Sequence, residues 1–364
     1  MIWIGVAILL LYLGGNTYLF LRLWQAMQHT PLWCRVLLAT LFVVAALSLF
    51  IAMALRHVSL PEWLHRALFS IGSVWLIFLL YMVLATALFD VAHLIFPTLK
   101  HGVWLALSAT TILLIYGYVN YRHPRVEHAT VPTTKHIEGE SYRIVMISDI
   151  HLGHGTTKRD LERYVELINR QRGDVVVIVG DLIDNSILPV VREDMCRLFS
   201  HIEARDGIYM VAGNHEYISG IDACIKYLNS TNIKLLRDSI TTLPSGIQLV
   251  GRDDRSNRGR ATLDSLMQGV DMSRPTIVLD HQPYAIDECV AANVDIYLAG
   301  HTHRGQVWPL NWVTDAMYAQ SHGYKRWQES HVIVSSGLSL WGPPFRIGTH
   351  SDLYVIEIRK ADKQ

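Results

Sequence analysis

Four stretches of this chain, Met1 to Leu21, Val36 to Leu55, Ala67 to Phe89 and Gly102 to Tyr121, contain no Asp, Glu, Lys or Arg. Each is about 20 residues or more, enough for a helix to cross a hydrocarbon layer of roughly 30 Å. No other feature restricts the fold as strongly, because a backbone in lipid must satisfy its own hydrogen bonds and therefore becomes helix. Only seven charged residues (Arg22, Arg35, Arg56, Glu62, Arg66, Asp90 and Lys100) lie in the first 121 positions, at the ends of these runs, against 57 in the rest. The pattern predicts an all-α, four-helix transmembrane region over 1–121. It is expected to be retained, since the first run has no basic leader and three more follow it.

An even number of spans puts the N-terminus and the following domain on the same side of the membrane. Arg56, Arg66, Arg122 and Arg125 flank that side, and Arg22, Arg35 and Lys100 the other, a small bias toward a cytoplasmic domain. The formal net charge of zero gives no reason to expect a nucleic-acid partner, and the mixed run from Gly251 to Arg260 reads as a solvated loop. The four cysteines have no paired spacing and suggest neither a disulfide framework nor a metal motif.

Residues 122–141, with Pro124 and Pro132 and little apolar periodicity, read as a linker to a domain over 142–364. There the texture changes to short Val- and Ile-rich runs at 143–148, 174–179, 208–212, 276–280, 295–299 and 331–335, which read as buried strands. Leu161, Tyr164, Val165 and Ile168 fall at helical spacing, and further helices are expected near 189–202 and 221–228. Strands alternating with helices indicate an α/β core.

Most of these strands lead at once into residues that bind metals. The first ends in SDIHLG, giving Asp149 and His151; the second in GDLID, giving Asp181; the third in GNHE, giving Asn214 and His215. Later runs lead into His281 of LDHQP and into His301 and His303 of GHTH. In open α/β sheets such strand ends converge. Imidazoles, carboxylates and an amide oxygen suit divalent Mn, Fe or Zn. Two such ions need a shared carboxylate, and Asp181, behind a glycine that admits close approach, is the expected bridge. Asp149, His151 and His303 would complete one site, and Asn214, His281 and His301 the other.

The ordered set DxH, GD, GNH[DE], H, GHxH resembles the calcineurin-like metallophosphoesterase family. The resemblance implies two mixed β-sheets sandwiched by helices, and a two-metal centre that lowers the pKa of a water for attack on phosphorus. It also implies that His215 is not a ligand, which makes it the candidate for protonating the leaving oxygen, with Glu216 orienting its ring. Asp184 reads as a loop or cap residue. The segments DIHLG, GNHEY, DHQP, GHTHxGQ and SSGLSLWGPPFRIG resemble a membrane-associated bacterial subgroup, hence an expected multi-pass protein of the bacterial inner (cytoplasmic) membrane. Arg304, Arg346 and His154 are candidate substrate contacts, as are His322 and His350. The anchor suggests the lipid bilayer as partner and a phosphate ester or pyrophosphate, lipid-linked in one version, as substrate. The alternative is a transporter or sensor with a regulatory phosphoesterase domain, disfavoured by span interiors without acidic or basic residues.

Overall fold

The computed structural model describes residues 2–55, 58, 61–99 and 101–361; Arg56 and Lys100, used above for topology, lie outside them. The chain divides into two compact units, Met1–Val119 with Gly342–Phe345, and Asn120–Trp341 with Arg346–Gln364.

The first unit holds α1 (Ile2–Ala26), α2 (Leu32–Ala54), α3 (Glu62–Ile95) and nearly all of α4 (Gly102–Tyr121). All four are long and apolar enough to cross a membrane. Leu19, Phe42, Leu79, Met82 and Ala106 pack among the helices, whereas Leu11, Leu41, Ile51 and Leu94 face outward, as lipid-facing residues must. A Cβ on Gly72 of α3 would fall 2.3 Å from the Leu49 nitrogen, so α2 and α3 meet through a residue that no side chain can replace. Helices α1 and α3 run past the charge-free stretches and include Arg22 and Asp90. These two form an ion pair, and the Tyr18 hydroxyl donates to the same carboxylate, which lowers the cost of keeping the charges near lipid. At 34 residues α3 is about 50 Å long, more than a bilayer core requires.

The second unit contains twelve strands among the described residues: β1 (Arg125–Thr133), β2 (Ser141–Ile147), β3 (Val175–Val179), β4 (Ile208–Val211), β5 (Ile233–Leu236), β6 (Ser239–Thr242), β7 (Gln248–Gly251), β8 (Thr276–Leu279), β9 (Ile296–Ala299), β10 (Gly323–Trp327), β11 (Ser330–Val334) and β12 (Asp352–Lys360). They form two mixed six-stranded sheets, β1-β12-β2-β3-β4-β5 and β10-β11-β9-β8-β7-β6. The two-residue period of a strand explains the layering. Val175, Val177 and Val179 join Leu249, Ile277, Leu298 and Ile333 in a core shared by both sheets. Val176 and Ile178 face the other way, onto Leu161, Val165 and Ile168 of α5 (Lys158–Arg170). A third cluster covers the outer face of the second sheet with Ile286 and Cys289. The six expected strands are β2, β3, β4, β8, β9 and β11, and the helix expected at 221–228 is present as Ile221–Leu228.

Three expectations need correction. The stretch read as part of a linker is β1, paired in parallel with β12 over nine residues; Pro132 hid it, but an edge strand tolerates proline. The helix expected near 189–202 is a short helix, Leu188–Arg192, followed by a 3₁₀ segment, Met195–His201, broken at Asp194, whose φ is 46°. The run from Gly251 to Arg260 is no solvated loop throughout, because Arg252, Asp253 and Asp254 are buried. Arg252 and Arg260 reach the two oxygens of buried Asp280 at 3.1 and 3.2 Å.

Candidate metal centre

The cluster forms where the carboxyl ends of β2, β3 and β4 in one sheet meet those of β8 and β9 in the other. Each strand delivers its chain into a tight turn, and the turns are strained at the residues of interest. Asp149 (φ 53°), His151 (50°), Asp181 (52°), His301 (72°) and His303 (47°) all adopt left-handed backbone conformations. Non-glycine residues rarely do so, and five among the seven expected ligands mark a place where geometry is imposed on the chain.

Close glycine contacts make room for this. A Cβ on Gly213 would lie 2.1 Å from Asp181 Oδ1, and one on Gly300 2.4 Å from Asp149 Oδ2. One on Gly180 would lie 2.4 Å from His281 Nδ1.

Three overlapping groups result, each with ligand atoms within 4.8 Å of one another: Asp149, His151 and His303; His151, Asp181 and His215; Asp181, His281 and His301. Asp181 Oδ2 is 3.1 Å from His281 Nε2 and 3.8 Å from His151 Nε2, so this carboxylate stands between two sets of imidazoles. The His151 and His303 Nε2 atoms are 3.1 Å apart, with Asp149 Oδ1 3.4 Å from the latter. His281 Nδ1 lies 2.8 Å from the Val179 carbonyl, and as the donor there it leaves Nε2 as the atom that faces Asp181. The Asn214 Oδ1 is buried without a hydrogen-bond partner among the described residues. An orphaned amide oxygen, inward imidazole nitrogens and oxygen donors form a set that fits divalent cations.

Charge reinforces this reading. Burial opposes the ionised form of Asp149, yet His303, His151 and His281 hold it well below the ordinary carboxylate range. Asp181 is likewise depressed against burial, chiefly by His281. Burial also disfavours a charged His151, but Asp149, Asp184 and Asp181 push it up to about 10. His301 goes the other way, to about 4, through burial and the charge of His281. Ionised carboxylates walled by imidazoles are stabilised by any cation they enclose.

The supporting residues differ from expectation. Asp184, read as a loop or cap residue, lies 3.1 Å from His215 Nδ1 and 3.5 Å from His151 Nδ1. Glu216 does not orient His215. Its buried carboxylate accepts backbone N–H groups from Asp181, Ile183 and Gly213 at 3.1, 2.9 and 2.7 Å, tying the second and third motif turns together.

Arg346, expected as a substrate contact, is wholly buried. Its guanidinium donates to the carbonyls of His303, Ser336, Gly337 and Ser339 and to Ser351 Oγ. It is a brace for the His303 turn. Asn120, at the end of α4, donates in turn to the carbonyls of Arg346 and Thr349 at 2.9 and 2.8 Å. No sequence signal separates such a brace from a ligand-binding arginine; a count of donors against nearby carbonyls does. Arg304 is half-buried with φ 50°, and its charge adds to burial in depressing the pKa values of His322 and His350. His154 is half-buried in the turn closed by the Leu152–Thr156 bridge.

Comparison with known proteins agrees with the geometry. The calcineurin-like phosphoesterase family profile matches residues 142–305. A transmembrane protein with metallophosphoesterase domain from Danio rerio is 29% identical over 96% of this chain and 88% of the relative. Metallophosphoesterases of Campylobacter jejuni and of Helicobacter pylori J99, both described as uncharacterized, are 31% and 30% identical over 70% and 72% of this chain and 69% and 73% of their own lengths. The chain belongs to the calcineurin-like phosphoesterase family, the metal-dependent phosphoester hydrolases, here in a membrane protein. Its relatives occur in animals as well as bacteria.

Proposed function

We propose that the second unit, whose sheets begin with β1, holds two divalent ions and hydrolyses a phosphate ester or pyrophosphate presented at a membrane. The observation that carries this reading is the position of Asp181, whose carboxylate belongs to two of the three ligand groups and so supplies the shared oxygen a metal pair needs. Asp149, His151 and His303 hold one ion; Asn214, His281 and His301 hold the other. When bound, such ions lower the pKa of a water and offset charge on the phosphoryl oxygens.

The chain's own residues supply the rest. Asp184 engages His215 Nδ1 and leaves Nε2 to donate a proton to the leaving oxygen. Arg304, His322 and His350 are the substrate-contacting group, and His154 is a further candidate. The four spans support a reaction tethered at a bilayer, which favours an amphiphilic, lipid-linked substrate. We read the domain as cytoplasmic, a reading supported by the arginines flanking that side.

The test is metal analysis and turnover of the full chain in nanodiscs. Two ions per chain and cleavage of bis-p-nitrophenyl phosphate, both lost in Asp181→Asn, are expected. Full activity and full metal content in that variant would refute the assignment.

A further inference from the structure

The helix Leu310–Met317 follows the GHTH turn within a few residues and turns several large apolar side chains outward. None of its residues is buried, and Leu310, Trp312, Val313 and Met317 are 44, 62, 54 and 62% exposed. Some of its polar groups have partners or cover within the chain. The Asp315 carboxylate accepts the Ser321 hydroxyl, and the Asn311 amide oxygen is buried. Trp308, itself exposed, meets Trp312 edge-on at 5.4 Å and extends the apolar surface. In water such an outward face is a standing cost, and contiguous apolar surface of this kind marks a contact with something apolar.

The ridge adjoins the metal cluster. Gly305, in the turn carrying His303, packs so tightly on the helix start that a Cβ would lie 2.4 Å from the Leu310 carbonyl carbon. At the other end Tyr318 caps the helix, 6.4 Å from the His301 ring and 5.1 Å from Tyr284.

What covers the ridge follows from the rest of the chain. Four helices fit to cross a membrane precede the domain, and only residues 122–124 separate the last of them from β1. Three residues span at most about 11 Å, which tethers the start of β1 close to the end of the last span. Trp, Leu, Val and Met on a short helix are the side chains that settle in the interfacial layer.

We propose that the Leu310–Met317 helix, with Trp308, seats in the interfacial layer of the bilayer and lays the His301 side of the cluster against the lipid. An amphiphilic phosphoester then enters with its tails still among acyl chains. The ridge itself requires no catalysis, although this last consequence rests on the phosphoesterase reading.

The test uses the full chain in phosphatidylcholine/phosphatidylglycerol nanodiscs, in a Cys34→Ser background because the other three cysteines are buried. A nitroxide on Val313→Cys is compared with one on Met272→Cys, an exposed position preceding the amino end of β8. Oxygen should reach the label at 313 more readily than a water-soluble nickel chelate does, with the order reversed at 272. Equal, water-like accessibility at both positions overturns the proposal. So does shielding at 313 that appears only when two chains share a disc, which would make a second copy the occupant. In a second arm, Trp312→Ser/Val313→Ser should cleave bis-p-nitrophenyl phosphate normally while its KM for a vesicle-borne phosphodiester rises roughly tenfold. Equal loss on both substrates overturns the ridge as a lipid contact. If the parent chain cleaves neither substrate, the hydrolase reading fails, and the accessibility arm still decides the ridge.

Discussion

Replacing Gly180 by alanine tests whether backbone approach, and not merely ligand identity, builds the cluster. Gly180 has φ 80°, and its added Cβ would lie 2.4 Å from Nδ1 and 2.6 Å from Cγ of His281. The left-handed conformation costs an alanine about 1–2 kcal/mol. The imidazole has nowhere to retreat, being fully buried, so relief requires overpacking strain of about 1–3 kcal/mol. Moving the ring also breaks its 2.8 Å hydrogen bond to the Val179 carbonyl, a loss of about 1 kcal/mol. Together these amount to about 4 kcal/mol, or a melting temperature lowered by about 10 °C for a domain of this size. Because the lost bond also sets the His281 tautomer, affinity for the ion it helps hold should fall about 10–100-fold. Calorimetry of the domain transition and metal titration in nanodiscs measure both. Gly259→Ala is the control, since its Cβ would meet only Asn257 Oδ1 at 3.5 Å and should leave both quantities unchanged. Wild-type melting and metal binding in Gly180→Ala would refute the close-approach argument.

Arg346→Met strands the carbonyls of His303, Ser336, Gly337 and Ser339 and should cost about 3–5 kcal/mol in denaturant unfolding; Arg346→Lys should not restore it, because an ammonium cannot reproduce the fork. Asp184→Asn should lower kcat about 10²–10³-fold in the metal-saturated chain and also weaken metal affinity in titration, since Asp184 faces both His215 and the outer nitrogen of the proposed ligand His151. Burial raises the Asp352 carboxyl to about 6, against hydrogen bonds from Ser335 and Ser336 that favour its charge. Between its unfolded value near 4 and about 6 the folded chain holds a proton the unfolded chain has released, so this group's stabilising contribution is full at the acid end and is lost as pH rises. The stability of wild type relative to Asp352→Asn should therefore fall by about 2 kcal/mol across that window, measured by unfolding at both ends.

The elements legible in advance were those whose signal is local. β2, β3 and β4 are continuous runs of buried aliphatics, and the expected ligands stand at fixed offsets beyond them. β1 was hidden for the opposite reason. Its half-buried alternation carries Arg125, Glu127 and Pro132 and becomes a strand only by pairing with β12, more than 200 residues away. Asp184 and Arg346 were misread for a related cause. An aspartate three residues after Asp181 resembles any turn residue until His151 and His215 are brought beside it from two other strands. An arginine in a glycine- and proline-rich segment looks like an anion clamp until its donors are matched to carbonyls of the His303 turn. The strained conformations of Asp149, His151, Asp181, His301 and His303 connect the two kinds of information. Their residue types are local facts, but the turns that aim them also take bonds from distant partners: Glu216 on the Asp181 turn, Arg346 on the His303 turn, and Asp149 accepting the His301 N–H. A change to Glu216 or Arg346 should therefore disturb metal binding without altering a single proposed ligand.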